Sequence, residues 1–129
     1  MSGVATHITQ AKTSHYCGQA CLAMMAGCTL KEAMVAVGHR RATTQDEIVR
    51  AAKKLGLRPL TSGWKVAREI ESFPPLAIMK MRRKYRKRGH WCCYVDGVYH
   101  DPALPEGGKM GSNDQLVCLM EFERVAVVK

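Results

Sequence analysis

Hydrophobic residues recur at helical spacing through the first half of the chain. Apolar positions separated by three or four residues are typical of helices that bury one face. In the third segment, for example, Ile48, Ala51 and Leu55 fall on one side of a helix. The segments predicted as helices cover residues 14–27, 29–38, 43–56 and 62–72.

Residues typical of helix ends bound these segments. Thr44 and Glu47 have the spacing of a capping box, and two prolines after Phe73 close the fourth segment. The predicted N-caps of the first three helices are Thr13 or Ser14, Thr29 and Thr44, and the glycines that end them are Gly27, Gly38 and Gly56.

From Leu76 onward the pattern changes to short apolar runs rich in strand-forming residues. Strands are predicted at 76–81, 90–95 and 98–101, the last two joined by Asp96-Gly97, a strong signal for a two-residue hairpin turn. After them, the pattern predicts a short helix from Ser112 or Asp114 through Leu119, and a final strand over about 124–128. Helices followed by antiparallel strands indicate an α+β fold with N-terminal helices on a C-terminal sheet, and 129 residues are typical of one domain, 1–129.

The net charge of +9 predicts an acidic partner, either a protein or a nucleic acid. Much of the excess lies in one run, which also fits a solvated hairpin tip. Its basic residues are Lys80, Arg82, Arg83, Lys84, Arg86, Lys87 and Arg88. No signal peptide or membrane-spanning run is recognisable, so a cytoplasmic location without membrane insertion is expected.

Six cysteines without a secretory signal are expected to be reduced thiols, most of them small core residues. A zinc site formed by Cys17, Cys21, Cys92 and Cys93 is the main competing chemistry. Adjacent residues on a strand point to opposite faces, so Cys92 and Cys93 cannot easily reach one ion. We therefore expect no metal, and no motif indicates a cofactor.

Cys17 is predicted in the first turn of a helix, where backbone amides and the helix dipole favour a thiolate. Five histidines could act as its base, and they are His7, His15, His39, His90 and His100. His90 begins a predicted strand, and Asp101 ends the strand paired with it through the 96–97 turn. Pairing around that turn would bring the Asp101 carboxylate to the His90 imidazole and hold the ring's tautomer.

Four ordered motifs, together with Gln10, resemble the bacteriocin-processing cysteine peptidases, papain-like domains that remove double-glycine leader peptides. Six residues separate Gln10 from Cys17 where that family more usually has five, and Gln19 stands where it often has proline. After Gln10, the matching stretches are Tyr16-Cys17-Gly18-Gln19-Ala20-Cys21, Leu55-Gly56-Leu57, Pro75-Leu76-Ala77-Ile78 with Gly89-His90-Trp91, and His100-Asp101-Pro102-Ala103.

The resemblance implies a papain-like fold and cleavage of a peptide bond, with glycine before the cut as one expectation. It also implies Cys17 as nucleophile, His90 as general base, Asp101 as the residue that orients His90, and Gln10 as an oxyanion donor. Deamidation and acyl transfer use the same machinery and stay open. Two other functions also stay open: a papain-like module without catalysis, and a basic effector that binds an acidic protein or nucleic acid through residues 80–88.

Overall fold

A computed structural model describes residues 7–10, 15–83, 89–104 and 114–125, without the side chains of Arg83 and Asp114. This part of the chain holds three α-helices, one short 3-10 helix (Ala67–Glu69) and six strands. The α-helices are α1 (Cys17–Ala26), α2 (Leu30–Val37) and α3 (Gln45–Lys54). The strands are β1 (Leu57–Pro59), β2 (Lys65–Val66), β3 (Ala77–Arg83), β4 (Gly89–Val95), β5 (Val98–His100) and β6 (Asp114–Arg124).

Local capping determines where the second and third helices begin. Thr29 accepts a hydrogen bond from the backbone of Glu32, whose side chain accepts one from the Thr29 backbone. The same reciprocal pair joins Thr44 and Glu47 at the start of α3. The predicted starts of α2 and α3 are therefore confirmed.

Tyr16 is the N-cap of α1, without a capping hydrogen bond from its side chain. The predicted caps Thr13 and Ser14 lie outside the described residues. The predicted end is confirmed, since Gly27 adopts the left-handed conformation, with φ of 72°, that glycine tolerates best.

The strands form an antiparallel sheet in the order β1-β6-β3-β4-β5, with β2 also pairing with β6. Asp96 and Gly97 turn the chain between β4 and β5 with positive φ at both positions, as the hairpin prediction requires. The resulting register pairs Val95 with Val98 and Cys93 with His100. The three helices pack on this sheet, so the predicted α+β arrangement is confirmed.

Alternate residues of β4 enter two separate apolar clusters, one on each face of the sheet. Trp91, Cys93 and Val95 pack with the helices, whereas Cys92 lies in the cluster on the opposite face. The larger cluster holds most of the apolar residues of α1, together with Ile48 of α3. The core between helices and sheet thus fixes which side of β4 meets α1.

The helix predicted from Ser112 or Asp114 through Leu119 is wrong, because residues 114–124 form strand β6. Ser112 and residues 126–129 lie outside the described residues. Of the predicted final strand, only the first residue, Arg124, lies in a described strand, and it is the last residue of β6. In β6, Met120 and Phe122 are buried against the helices and Leu119 is buried on the other face. Burial on both faces removes the alternation that identifies a strand in a sequence.

The helix predicted over residues 62–72 is also wrong. Lys65 and Val66 pair with Leu119 and Cys118 of β6, and only a short 3-10 helix follows, at Ala67–Glu69. Pairing with a distant strand outweighs the weak helical preference of this segment. Strand β1 was not predicted, since three residues ending in Pro59 give little signal.

Within the described residues, no single helix is both long and apolar enough to cross a membrane. Helices α1 and α2 reach the length and composition only as a pair, bent by 116° at the break between them.

Gly18 lies where α1 packs tightly against its neighbours. A Cβ atom added there would overlap Thr43 Oγ1 and lie 2.9 Å from Ile48 Cδ1 and 3.2 Å from Trp91 Cδ1. We expect Gly18→Ala to lower the free energy of unfolding by about 1–3 kcal/mol, the usual cost of overpacking a core. Urea denaturation would measure it.

Gly63→Ala is the matched control, because a Cβ at Gly63 meets nothing within 4 Å. Its effect should stay within about 0.5 kcal/mol. Equal effects of the two substitutions would contradict the tight packing at the tip of α1.

Candidate active site

Cys17 is the first residue of α1 and is 8 % exposed. The first amides of a helix have no acceptor inside it, so the thiol lies among N–H groups at the positive end of the helix dipole. The backbone N–H of Trp91 donates a hydrogen bond to Cys17 Sγ over 3.4 Å. The helix tip therefore lies on the first residues of β4.

His90 and Asp101 form an almost fully buried pair next to this tip. His90 Nε2 lies 2.5 Å from Asp101 Oδ1, and the two side chains are 12 % and 1 % exposed. Asp101 Oδ1 also accepts a hydrogen bond from the backbone N–H of Ala103 over 2.9 Å, which holds the carboxylate in place. The predicted approach of Asp101 to His90 is confirmed as geometry.

The imidazole of His90 has neighbours on more than one side. Burial acts to lower its pKa. The hydrogen bond to Asp101, helped by hydrogen bonding to the thiols of Cys17 and Cys92, outweighs burial and raises the pKa of His90 to about 12. Because Asp101 engages Nε2, Nδ1 is the ring nitrogen left to exchange a proton with a thiol.

Cys92 is a neighbour of this site that the sequence did not indicate. It is fully buried, and burial raises its pKa to about 11 although the hydrogen bond to His90 acts in the opposite direction. Cys92 lies two residues from His90 on the same face of β4, a placement that follows from strand alternation once the strand is known.

His90, Cys92 and Asp101 each offer one potential metal ligand, and these atoms lie within 4.8 Å of one another. The 2.5 Å separation of the His90 and Asp101 atoms is that of a hydrogen bond. Two ligands at about 2.0–2.2 Å from a tetrahedral zinc ion would lie farther apart than this. The geometry therefore fits a hydrogen-bonded pair better than a metal centre.

The zinc site considered from the sequence is not formed, because the adjacent strand residues Cys92 and Cys93 point to opposite faces of the sheet. Cys93 packs against the helices and Cys92 against the opposite cluster, so the two thiols diverge. Cys21 is fully buried, and its pKa is raised, first by burial and then by its hydrogen bond to Cys93. These two thiols belong to the core, and all six cysteines are free thiols.

Gln10 reaches the same edge of the sheet as Asp101. Its backbone N–H donates a hydrogen bond to the carbonyl of Pro102 over 2.7 Å, and its side chain is half-buried. The contact places residues 7–10 beside the end of β5. The oxyanion role of Gln10 stays a prediction.

Gln19 has a structural contact that the sequence did not reveal. It is fully buried in α1, and its Nε2 donates to the carbonyls of His39 and Arg41 over 3.0 and 2.9 Å. These bonds hold the loop before α3 against α1. Thr43, which packs at Gly18, follows in that same loop.

The basic run falls largely outside the described residues. Lys80 is half-buried and Arg82 is exposed, both on β3, whereas residues 84–88 and the side chain of Arg83 lie outside. A partner for this surface stays a prediction.

Comparisons with models of known protein families and with curated proteins give no match to this chain. The site therefore has to be interpreted from its own geometry.

The His90–Asp101 pair predicts an unusual titration. Between about pH 6 and about pH 9 we expect the His90 ring signals in an NMR spectrum to stay at their protonated positions. In Asp101→Asn, which keeps the size but removes the charge, burial opposes the charged ring and titration returns towards about pH 6.5 or below.

The raised pKa of His90 makes the stability of the fold depend on pH. A raised pKa in the folded chain stabilises fully below about pH 6.5, the unfolded value, and the stabilisation declines as pH rises towards the folded value. His39, which contacts Glu47 instead, is the control, and its ring signals should not differ between the wild type and Asp101→Asn. A wild-type His90 that loses its proton near neutral pH would contradict the pairing.

Proposed function

We propose that this chain is a papain-like cysteine hydrolase that cleaves a peptide bond. One observation supports this most strongly. The His90 imidazole pairs with the buried Asp101 carboxylate, and the Cys17 thiol at a helix tip accepts a hydrogen bond from the backbone of the next residue, Trp91. Nucleophile, base and orienting acid in that order are what thiol acyl transfer requires.

Each residue takes one role in the proposed reaction. His90 Nδ1 holds the proton of Cys17, so that the thiolate attacks the carbonyl carbon and a C–S bond forms as the carbonyl π electrons move to oxygen. The tetrahedral intermediate collapses, the C–N bond breaks, and the amine leaves with the proton from His90. Water, losing a proton to His90, then attacks the thioester and frees Cys17.

Asp101 keeps the ring in the tautomer that this cycle uses. With its Nε2–H donated to Asp101, His90 can cycle a proton only through Nδ1. The negative charge also stabilises the imidazolium that forms when Cys17 ionises. The first amides of α1, together with Gln10, are the proposed donors to the oxyanion.

The papain-like architecture is part of the same proposal. It is supported by a proposed nucleophile at the start of a helix that packs on an antiparallel sheet, and by a base on β4 and an acid directly after the neighbouring strand β5. The substrate expected from the sequence resemblance is a peptide with glycine before the scissile bond. Deamidation and acyl transfer differ only in the leaving group or in the final acceptor.

An activated ester tests the chemistry without knowledge of the natural substrate. With an acyl-glycine p-nitrophenyl ester we expect a burst of about one p-nitrophenolate per chain, the kinetic sign of an acyl-enzyme. Cys17→Ala should abolish the burst, and His90→Gln should slow it about 10²–10⁴-fold, the usual contribution of a general base.

Cys28→Ala is the matched control, because Cys28 is more exposed than Cys17 yet lies at the far end of α1. Its burst should equal that of the wild type. A burst that survives Cys17→Ala would contradict Cys17 as the nucleophile, and no burst in the wild type would favour a module that binds without catalysis.

A further inference from the structure

Two histidines outside the proposed triad face each other at the end of β5. His7 Nδ1 lies 2.9 Å from His100 Nδ1, and the two rings stack with centroids 5.2 Å apart and planes 15° from parallel. His7 Nε2 lies 2.7 Å from the carbonyl oxygen of Leu104. His100 is 5 % exposed, and its Nε2 has no hydrogen-bond partner among the described residues.

The contacts determine where protons can be placed on this pair. A carbonyl oxygen only accepts, so His7 Nε2 carries a proton for Leu104. The short contact between the two Nδ1 atoms then needs one proton, supplied by either ring. With both rings charged, two N–H groups would point at each other, and the contact would become repulsive.

The pair joins the N-terminal segment 7–10 to the rest of the fold. Two further hydrogen bonds hold this segment: from Ile8 N–H to Met24 Sδ over 3.3 Å, and from Gln10 N–H to the Pro102 carbonyl over 2.7 Å. His100 immediately precedes Asp101, so the segment docks next to the proposed triad. Ile8 also packs against the apolar cluster between the helices and the sheet, and the histidine pair is the contact of this segment that can change charge.

We propose that His7 and His100 form a proton-sensitive latch that docks segment 7–10, holding at most one positive charge and releasing the segment when a second proton binds. The docking itself does not depend on catalysis. Its consequence for the reaction, through the position of Gln10, rests on the proposed function.

The surroundings support release on acidification. Burial, and after it the charge of His7, lower the pKa of His100. Two titratable groups lie next to His100 on the elements packed around it: Asp101, which His90 engages, and Cys93, its register partner on β4. The thiol of Cys93 hydrogen-bonds to Cys21 of α1. Neither group is placed to neutralise a doubly charged pair.

The lowered pKa of His100 determines in which direction docking depends on pH. The undocked His100, which is less buried and no longer faces His7, takes up its proton at a higher pH than the docked one. Between the two pKa values of His100, the chain with segment 7–10 undocked binds more protons than the docked chain, so docking weakens as the pH falls.

Amide hydrogen exchange in the ¹⁵N-labelled full chain tests this directly. From about pH 8 to about pH 5, a range that spans histidine titration, we expect the protection of the Ile8 and Gln10 amides to fall after correction for intrinsic exchange. The fall should approach about tenfold per pH unit at the acid end, the limit for one proton. Amides of β4 should keep their protection throughout.

Two variants separate the proton effect from simple loss of contact. His100→Asn offers an amide near the Nδ1 position that can donate or accept but takes no charge, so the segment should stay docked at all these pH values. His7→Phe keeps a ring for stacking but removes the charge that faces His100, so it should weaken the pH dependence, which burial of His100 still causes in part, while lowering protection overall. The exposed His15, changed to Asn, is the control and should behave like the wild type.

Protection that stays constant in the wild type while the ring signals of His100 titrate would overturn the latch. So would a pH-dependent loss that persists in both His100→Asn and His7→Phe. If the latch opens but the ester burst is unchanged at the same pH, the latch stands and the role of Gln10 fails. If no burst exists at any pH, the exchange result still decides the latch.

Discussion

The close approach of α1 to β4 at Gly18 is the contact on which the candidate site depends. A residue without a side chain lets the helix tip rest against Ile48 and Trp91. That contact brings Cys17 Sγ to the backbone of β4, one residue from His90. The position of the thiol is therefore a property of the core, because the helix cannot shift without disturbing packing between α3 and the sheet.

The hairpin at Asp96-Gly97 supplies the second constraint. Its register places the residue after β5 on the same face as His90, so a buried carboxylate and a buried imidazole meet where neither charge alone would be stable. Pairing compensates for their burial, and the raised pKa of His90 follows from it. Core packing thus positions Cys17, and strand pairing positions His90 and Asp101.

Local signals predicted more than long-range ones. Thr29, Thr44 and the 96–97 turn act over two to four residues, and each lies where the pattern indicated. Strand β6 was mistaken for a helix because both its faces are buried, and β2 because it exists only through pairing with β6. Cys17, His90 and Asp101 could be named from the sequence because they stand next to local signals, a helix start and the strands around the 96–97 turn. Cys92 and the contact of His7 with His100 depend instead on strand faces and on the return of a distant segment.

Alkylation by iodoacetamide, followed residue by residue with mass spectrometry from about pH 5 to about pH 9, is the most direct test of an activated Cys17, because the thiolate is the reactive form. Cys28 is more exposed than Cys17, but burial and then Glu32 raise its pKa. Exposure alone therefore predicts faster alkylation of Cys28, whereas activation by His90 predicts faster alkylation of Cys17. Pairing of Cys17 with His90 predicts that Cys17 reacts first below neutral pH and slows in His90→Gln. Faster reaction at Cys28, or a Cys17 rate indifferent to His90, would contradict it.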